Sequence, residues 1–110
     1  MQKKYNVCPI RDILSHFSDK WSILVLLELD KNGVMRFSEL GRNISDISQK
    51  MLTVTLRTLE QDRLVERTVY PEVPPRVEYR LTEVGKTLIP HINGLVEWAL
   101  EHRETCLSGR

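Results

Sequence analysis

The sequence predicts a mainly α-helical domain with one small antiparallel β-hairpin, and three observations carry that prediction. Apolar residues recur at helical spacing over most of the chain, as in Leu52, Leu56 and Leu59 or in Leu88, Ile92, Leu95 and Val96. Two stretches, Val65–Tyr70 and Arg76–Leu81, alternate apolar and polar residues instead. Between those stretches lies Pro71-Glu72-Val73-Pro74-Pro75, a turn sequence that folds one strand back on the other.

Taken in order, residues 1–8 read as a polar, flexible lead-in. Pro9 suits the opening of a helix, where its missing N–H costs nothing. Residues 9–17 form that helix, with Ile10, Ile13, Leu14 and Phe17 on one side. Ser18 or Asp19 caps a second helix over residues 20–29. Its Trp21 and its run from Ile23 to Leu27 make it apolar nearly all round, so it belongs at the centre of the fold. Asp30-Lys31-Asn32-Gly33 is a turn in which Gly33 supplies positive φ, and Met35-Arg36 reads as a very short strand. Ser38 is placed as the cap of a helix to about residue 44, with Leu40 and Ile44 facing inward. A turn at Ser45-Asp46 leads into a long helix over residues 48–62. After the hairpin, Thr82 caps the last helix, with Glu83 in its first turn where the dipole favours negative charge. Leu88, Ile92, Leu95, Val96, Ala99 and Leu100 form that helix's apolar face. Pro90 predicts a kink or a break within it, and residues 105–110 are expected to fray.

Bulk properties exclude several classes. The 110 residues suit one domain (1–110) with a modest core and a poor surface-to-volume ratio. Charged residues make up 28% of the chain but the net charge is +1, which fits neither a disordered polyion nor a strongly basic coat for nucleic acid. The apolar run from Ile23 to Leu27 is far too short to span a bilayer, and residues 1–8 do not resemble a signal peptide. Cys8 and Cys106 are too few for a disulfide scaffold, so a reducing cytoplasm is the expected location. His16, His91 and His102 have no carboxylate or cysteine at ligand spacing, so no metal site is expected. With no nucleotide-binding glycine loop, no CxxC pair and no acid–base constellation, neither an enzyme nor a bound cofactor is expected. Trp21 and Trp98 read as core or interface anchors.

One flank of helix 48–62 carries the chemistry. Gln49, Thr53 and Arg57 are four apart and share a face, with Lys50 beside them. Gln pairs with adenine edges, Lys and Arg with guanine edges, and a Thr methyl with the thymine methyl. Ser48 or Asp46 caps this helix, and the free N–H groups at its start attract phosphate. On an isolated helix this is an ordinary solvated face. The order helix, turn, helix, hairpin turns the reading toward double-stranded DNA, with the helix in a major groove and the hairpin beside it. Arg76 at the proline-stiffened tip is either a contact to phosphate or minor groove, or a plain exposed charge. Lys20 is a further phosphate candidate. The near-neutral charge keeps a rival open, a winged-helix protein-interaction module that never touches DNA. Salt dependence of binding separates the two.

Further motifs occur in order: Cys8-Pro9-Ile10, Asp19-Lys20-Trp21, Arg36-Phe37-Ser38-Glu39-Leu40, Ile47-Ser48, the string from Pro74 to Thr82 (PPRVEYRLT), Gly85 and Trp98. From Cys8 to His102 the chain resembles the HxlR-type winged helix-turn-helix transcriptional regulators, relatives of the MarR group. The resemblance implies a bacterial or archaeal homodimer on a pseudo-palindromic operator. It implies helix 48–62 as recognition helix and the 71–76 turn as wing. The DNA-binding set is then Lys20, Ser38, Ser48, Gln49, Lys50, Thr53, Arg57 and Arg76. The terminal helices supply the dimer interface through Ile10, Leu88, Ile92, Leu95, Val96, Trp98 and Ala99. Cys8, placed at a helix start where the dipole lowers a thiol pKa, matches a cysteine that relatives use to sense oxidants or electrophiles. The other reading of Cys8 is a small residue packed in the interface, and Cys106 is a partner thiol or a bystander. A small-molecule effector is unknown. Two positions depart from the family pattern. Arg63 stands where Gly is usual, which strains a positive φ, and Asp46 replaces a commoner Gly, a milder change.

Overall fold

The computed structural model describes residues 7–107, and side chains from residue 11 to 106. Along the chain run α1 (Val7–Ser15), α2 (Lys20–Asn32), β1 (Val34–Met35), α3 (Phe37–Asn43), α4 (Gln49–Gln61), β2 (Val65–Tyr70), β3 (Arg76–Leu81), α5 (Glu83–Glu101) and α6 (Arg103–Leu107). This is the expected mainly helical fold with a small antiparallel sheet.

Several boundaries differ from the sequence reading. The lead-in expected for residues 1–8 lies outside the described residues as far as residue 6, while Val7 and Cys8 already belong to α1. Pro9 is therefore the third helical residue; it remains within the first turn, whose N–H groups have no intrahelical partner to lose. Asp19, not Ser18, caps α2, its carboxylate accepting from the Ser22 N–H at 2.9 Å. The short strand is one residue earlier than expected, at Val34–Met35, and pairs with β3 through Val34↔Arg80 and Met35↔Tyr79. Ser38 is not a cap. Helix α3 already begins at Phe37, and the Glu39 carboxylate accepts from the Arg36 N–H at 2.8 Å, closing its first turn from the other side. Helix α5 runs unbroken through Pro90. Pro90 and Lys86 are both exposed, so the turn in which the proline removes a hydrogen bond lies on the solvent side of the helix. Residues 105–107, expected to fray, complete α6.

The sheet has the order β1-β3-β2, with β2 and β3 in register from Val65↔Leu81 to Tyr70↔Arg76. Its inner face meets the helices in one core. Val25, Leu26 and Leu29 of α2 lie at the centre, with Leu40 and Ile44, the α4 stripe Leu52, Leu56 and Leu59, Met35, Tyr79 and Leu81 from the sheet, and Ile89 and Ile92 from α5. Truncating any of the fully buried leucines to Ala costs about 2–5 kcal/mol. Helix α2 is central, yet its apolar circumference is only partly covered: Leu24 is exposed and Trp21, Ile23 and Leu27 are half-buried.

Two local devices fix the end of α4. Arg63 N–H donates to Glu60 O and Leu64 N–H donates to Leu59 O, both at 3.0 Å, a paired C-terminal closure that needs a left-handed residue between them. Arg63 occupies it at φ 63°, as the departure from Gly anticipated. Leu59 and Leu64, both buried, lie on either side of this closure. Asp46 is not in the left-handed region, so its replacement of Gly carries no strain. The second device is long-range. His16 Nδ1 lies 2.9 Å from Asp62 Oδ1, tying the α1–α2 corner to the last residue before the closure. The sequence reading missed this pair because its members are 46 positions apart. The hydrogen bond to Asp62, then its charge and to a lesser degree that of Asp12, raise the His16 pKa above the ordinary 6.5.

Two outcomes follow. Arg63→Gly relieves left-handed strain of about 1–2 kcal/mol, less the added freedom of glycine in the unfolded chain, and is expected to raise the melting temperature. A lower melting temperature in calorimetry would count against the strain. For His16, a raised folded pKa means that its stabilisation is complete below about pH 6.5 and lost as pH rises through the folded value. Thermal unfolding of wild type and His16→Gln should therefore differ at pH 5.5 and converge near pH 8.5; a gap of constant size removes the proton linkage.

Candidate nucleic-acid interface

The interface is built on α3 and α4. Ser48 Oγ accepts from the Met51 N–H at 3.0 Å, capping α4 and leaving the Gln49 and Lys50 N–H groups, which have no preceding turn, at its start. With Leu52, Leu56 and Leu59 committed to the core, helical geometry turns Gln49, Lys50, Thr53 and Arg57 outward, and all four are exposed. Thr53 Oγ1 donates to Gln49 O at 2.9 Å, so its hydroxyl proton is engaged by the backbone. Lys50 and Arg57 make no ion pair among the described residues. Ser38 is exposed on α3 and shares with Arg42, Ser48 and Gln49 a depression of about 320 Å³ between the starts of the two helices. Arg42 had no place in the sequence reading, because its side of α3 is set only by how that helix packs.

The hairpin tip differs from a free cationic tip. Arg76 Nη2 meets Glu72 Oε2 at 2.9 Å, Nη1 meets Glu78 Oε2 at 2.6 Å, and the guanidinium lies 3.8 Å from the centre of the Tyr70 ring. Two carboxylates and an aromatic face hold it across the hairpin. The same bond from Arg76 lowers the Glu72 pKa. Lys20 is exposed, with Nζ 4.6 Å from the centre of the Trp21 ring. A second arginine comes forward in its place. Arg67 of β2 lines a cavity of about 370 Å³ with Thr53, Arg57 and Glu60 of α4, over Phe37, Leu56 and Tyr79. Strand alternation pairs Arg67 with Tyr79, but only the packing of α4 on the hairpin brings Arg67 beside Arg57.

The expected interface residues divide. Ile92 is buried in this chain's own core, and Leu88 and Val96 are half-buried against it, because they face α2 at the same helical spacing as Ile89. Ile92 is thus not available to a second subunit. Leu95 and Trp98 are 60% and 52% exposed, and Ala99 is exposed. The Trp98 ring stacks on His102 at 4.3 Å. Cys106 is a free, exposed thiol. The side chains of Cys8 and Ile10 lie outside those described, but the backbone puts Cys8 second in α1. Among the described residues no acidic, histidine or cysteine cluster could hold a metal ion, and no helix is long and apolar enough to cross a membrane.

A helix-turn-helix with an exposed polar flank, followed directly by a β-wing, defines the architectural class, a winged helix-turn-helix protein. The model of the HxlR-like helix-turn-helix family matches residues 16–106, and the chain belongs to that family. A helix-turn-helix transcriptional regulator of Methanothermobacter thermautotrophicus, itself uncharacterized, is 52% identical over 92 residues, 84% of this chain and 70% of that protein. The redox regulator HypR in its reduced form superposes with a TM-score of 0.83 at 40% identity, covering 91% of this chain and 98% of that one. Diamide-treated YodB from B. subtilis superposes with a TM-score of 0.72 at 35% identity, covering 87% and 94%.

Proposed function

We propose that the protein regulates transcription as a homodimer on a pseudo-palindromic operator in double-stranded DNA. The observation that carries this reading is the flank of Gln49, Lys50, Thr53 and Arg57, which the fold leaves exposed beside the hairpin. Gln49 offers two hydrogen bonds to an adenine edge, Lys50 suits guanine, and Thr53, with its hydroxyl turned to the backbone, presents its methyl to thymine. Ser38, Ser48, the α4 N-terminus and Lys20 hold phosphates.

Dimerisation is supported by apolar surface that one small chain leaves in water. Leu95, Trp98 and Leu100 on α5 and Ile13 and Leu14 on α1 are all 45–60% exposed. Covering large apolar side chains is worth about 1.5–3 kcal/mol each. Ala99 lies among the α5 residues, and Ile10 is assigned to the same interface. A two-fold axis through this surface sets the two α4 helices about 34 Å apart, one turn of DNA.

Redox control through Cys8 is the second part of the reading. Its support is the position of Cys8 in the first turn of α1 and the likeness to two solved structures, a redox regulator and a diamide-treated regulator. Diamide accepts two electrons and two protons as Cys8 and a second thiol, Cys106 or another Cys8, join in a disulfide. The new link near the subunit boundary alters the spacing of the two recognition helices.

Selection of bound sites from random duplexes tests DNA binding and symmetry together. The expected product is an inverted repeat with half-sites one turn apart, and Gln49→Ala should relax one position per half-site by about 1–3 kcal/mol. Recovery of no preferred site would remove the reading in favour of a protein-interaction module. For the thiol, diamide should release the operator from wild type and leave Cys8→Ser bound; release from both excludes Cys8.

A further inference from the structure

We infer that the notch between α4 and the hairpin is a phosphate seat, in which Arg67 and Arg57 together grip one backbone phosphodiester of the operator. The inference deepens the DNA-binding reading and rests on it. A helix in a major groove and a wing beside the adjacent minor groove leave one sugar–phosphate strand between them. That strand crosses the gap between α4 and β2. The gap in this protein is a cavity of about 370 Å³ with Arg57 on one wall and Arg67 on the other.

The electrostatics of the notch suit one phosphodiester. Neither arginine has a carboxylate within ion-pair distance among the described residues, although Glu60 lines the same cavity. Two guanidinium charges against one carboxylate leave a single positive charge, which one phosphodiester neutralises. Planar guanidinium groups also suit phosphate oxygens, each offering paired N–H donors. Phe37, Leu56 and the Tyr79 ring give the notch an apolar side against which the two guanidinium groups are set.

The contrast with Arg76 decides which arginine does this. Arg76 lies between Glu72 and Glu78, and Glu78 also meets Arg80 at 3.9 Å. The Arg76 donors are already taken up by carboxylates, which leaves less of them for phosphate. Arg76 is therefore a positioning residue that stiffens the wing, and the phosphate contact moves back along the hairpin to Arg67.

The experiment measures binding of the full-length protein to its selected duplex by fluorescence anisotropy across a range of salt. Loss of one phosphate contact lowers the slope of log K against log[salt] by about 0.9, hence by about 1.8 for two notches in a dimer. Arg67→Gln is expected to show that loss, with specific and non-specific duplexes weakened by the same factor. Arg67→Lys should restore most of the slope, and Glu60→Gln should tighten binding. An unchanged slope in Arg67→Gln overturns the seat, as does a change confined to one base pair, which would make Arg67 a base reader. If Arg67→Gln fails to fold, the remaining two variants decide, and Glu60→Gln binding no tighter than wild type overturns the seat. No salt-dependent duplex binding by wild type removes the underlying DNA reading instead.

Discussion

The geometry of the whole molecule depends on one contact, the close approach of the α5 start to the backbone at Leu64. Thr82 N–H donates to Leu64 O at 3.1 Å, and Thr82 Oγ1 donates to Arg63 O at 2.6 Å while accepting from the Gly85 N–H at 3.0 Å. A single threonine thus bonds the closure of α4 and caps α5. Gly85 is required there because a Cβ would collide with the Leu64 carbonyl. The contact joins the end of α4, the start of β2 and the first turn of α5. It sets the angle at which the hairpin leaves α4, and so the width of the gap between helix and wing. Left-handed Arg63 is tolerated at this corner because bonds on both sides over-determine its conformation.

Charge in this protein works by placement rather than amount. A net charge of +1 offers little long-range attraction for DNA. The fold compensates by choosing which cations keep their charge available. Arg76 is neutralised by Glu72 and Glu78 and serves the wing as a brace. Lys50, Arg57 and Arg67 are exposed and make no ion pair among the described residues, and all lie on or beside the α4 flank. A chain with few surplus positive charges can present a positive face only if its acidic residues are paired elsewhere or turned away. Here Glu72 and Glu78 are engaged by Arg76, and Glu78 by Arg80 as well.

The two faces of α5 divide the labour of a small domain. Ile89 and Ile92 complete the core against α2, while Leu95, Trp98 and Leu100 point outward. The helix lies over the body of the domain as far as Val96; beyond it Trp98 and Leu100 are exposed. The apolar content that looked like a single interface stripe therefore serves two surfaces, separated by where the domain ends.

The elements, their order and the exposed flank of α4 were legible in the sequence. Helical and strand periodicities differ, the caps Thr82 and Ser48 are locally encoded, and burial of Leu52, Leu56 and Leu59 forces Gln49, Thr53 and Arg57 outward. The strain at Arg63 was legible too, because left-handed geometry at a helix end is a local steric matter. Long-range partnerships were not. His16 with Asp62, Arg67 beside Arg57, the clamp on Arg76 and the withdrawal of Ile92 into the core each join residues whose proximity depends on how elements pack. Local sequence determines what a segment can form and which side is apolar. Only the tertiary fold decides which charges meet, because proximity across elements is set by the shape of the shared core.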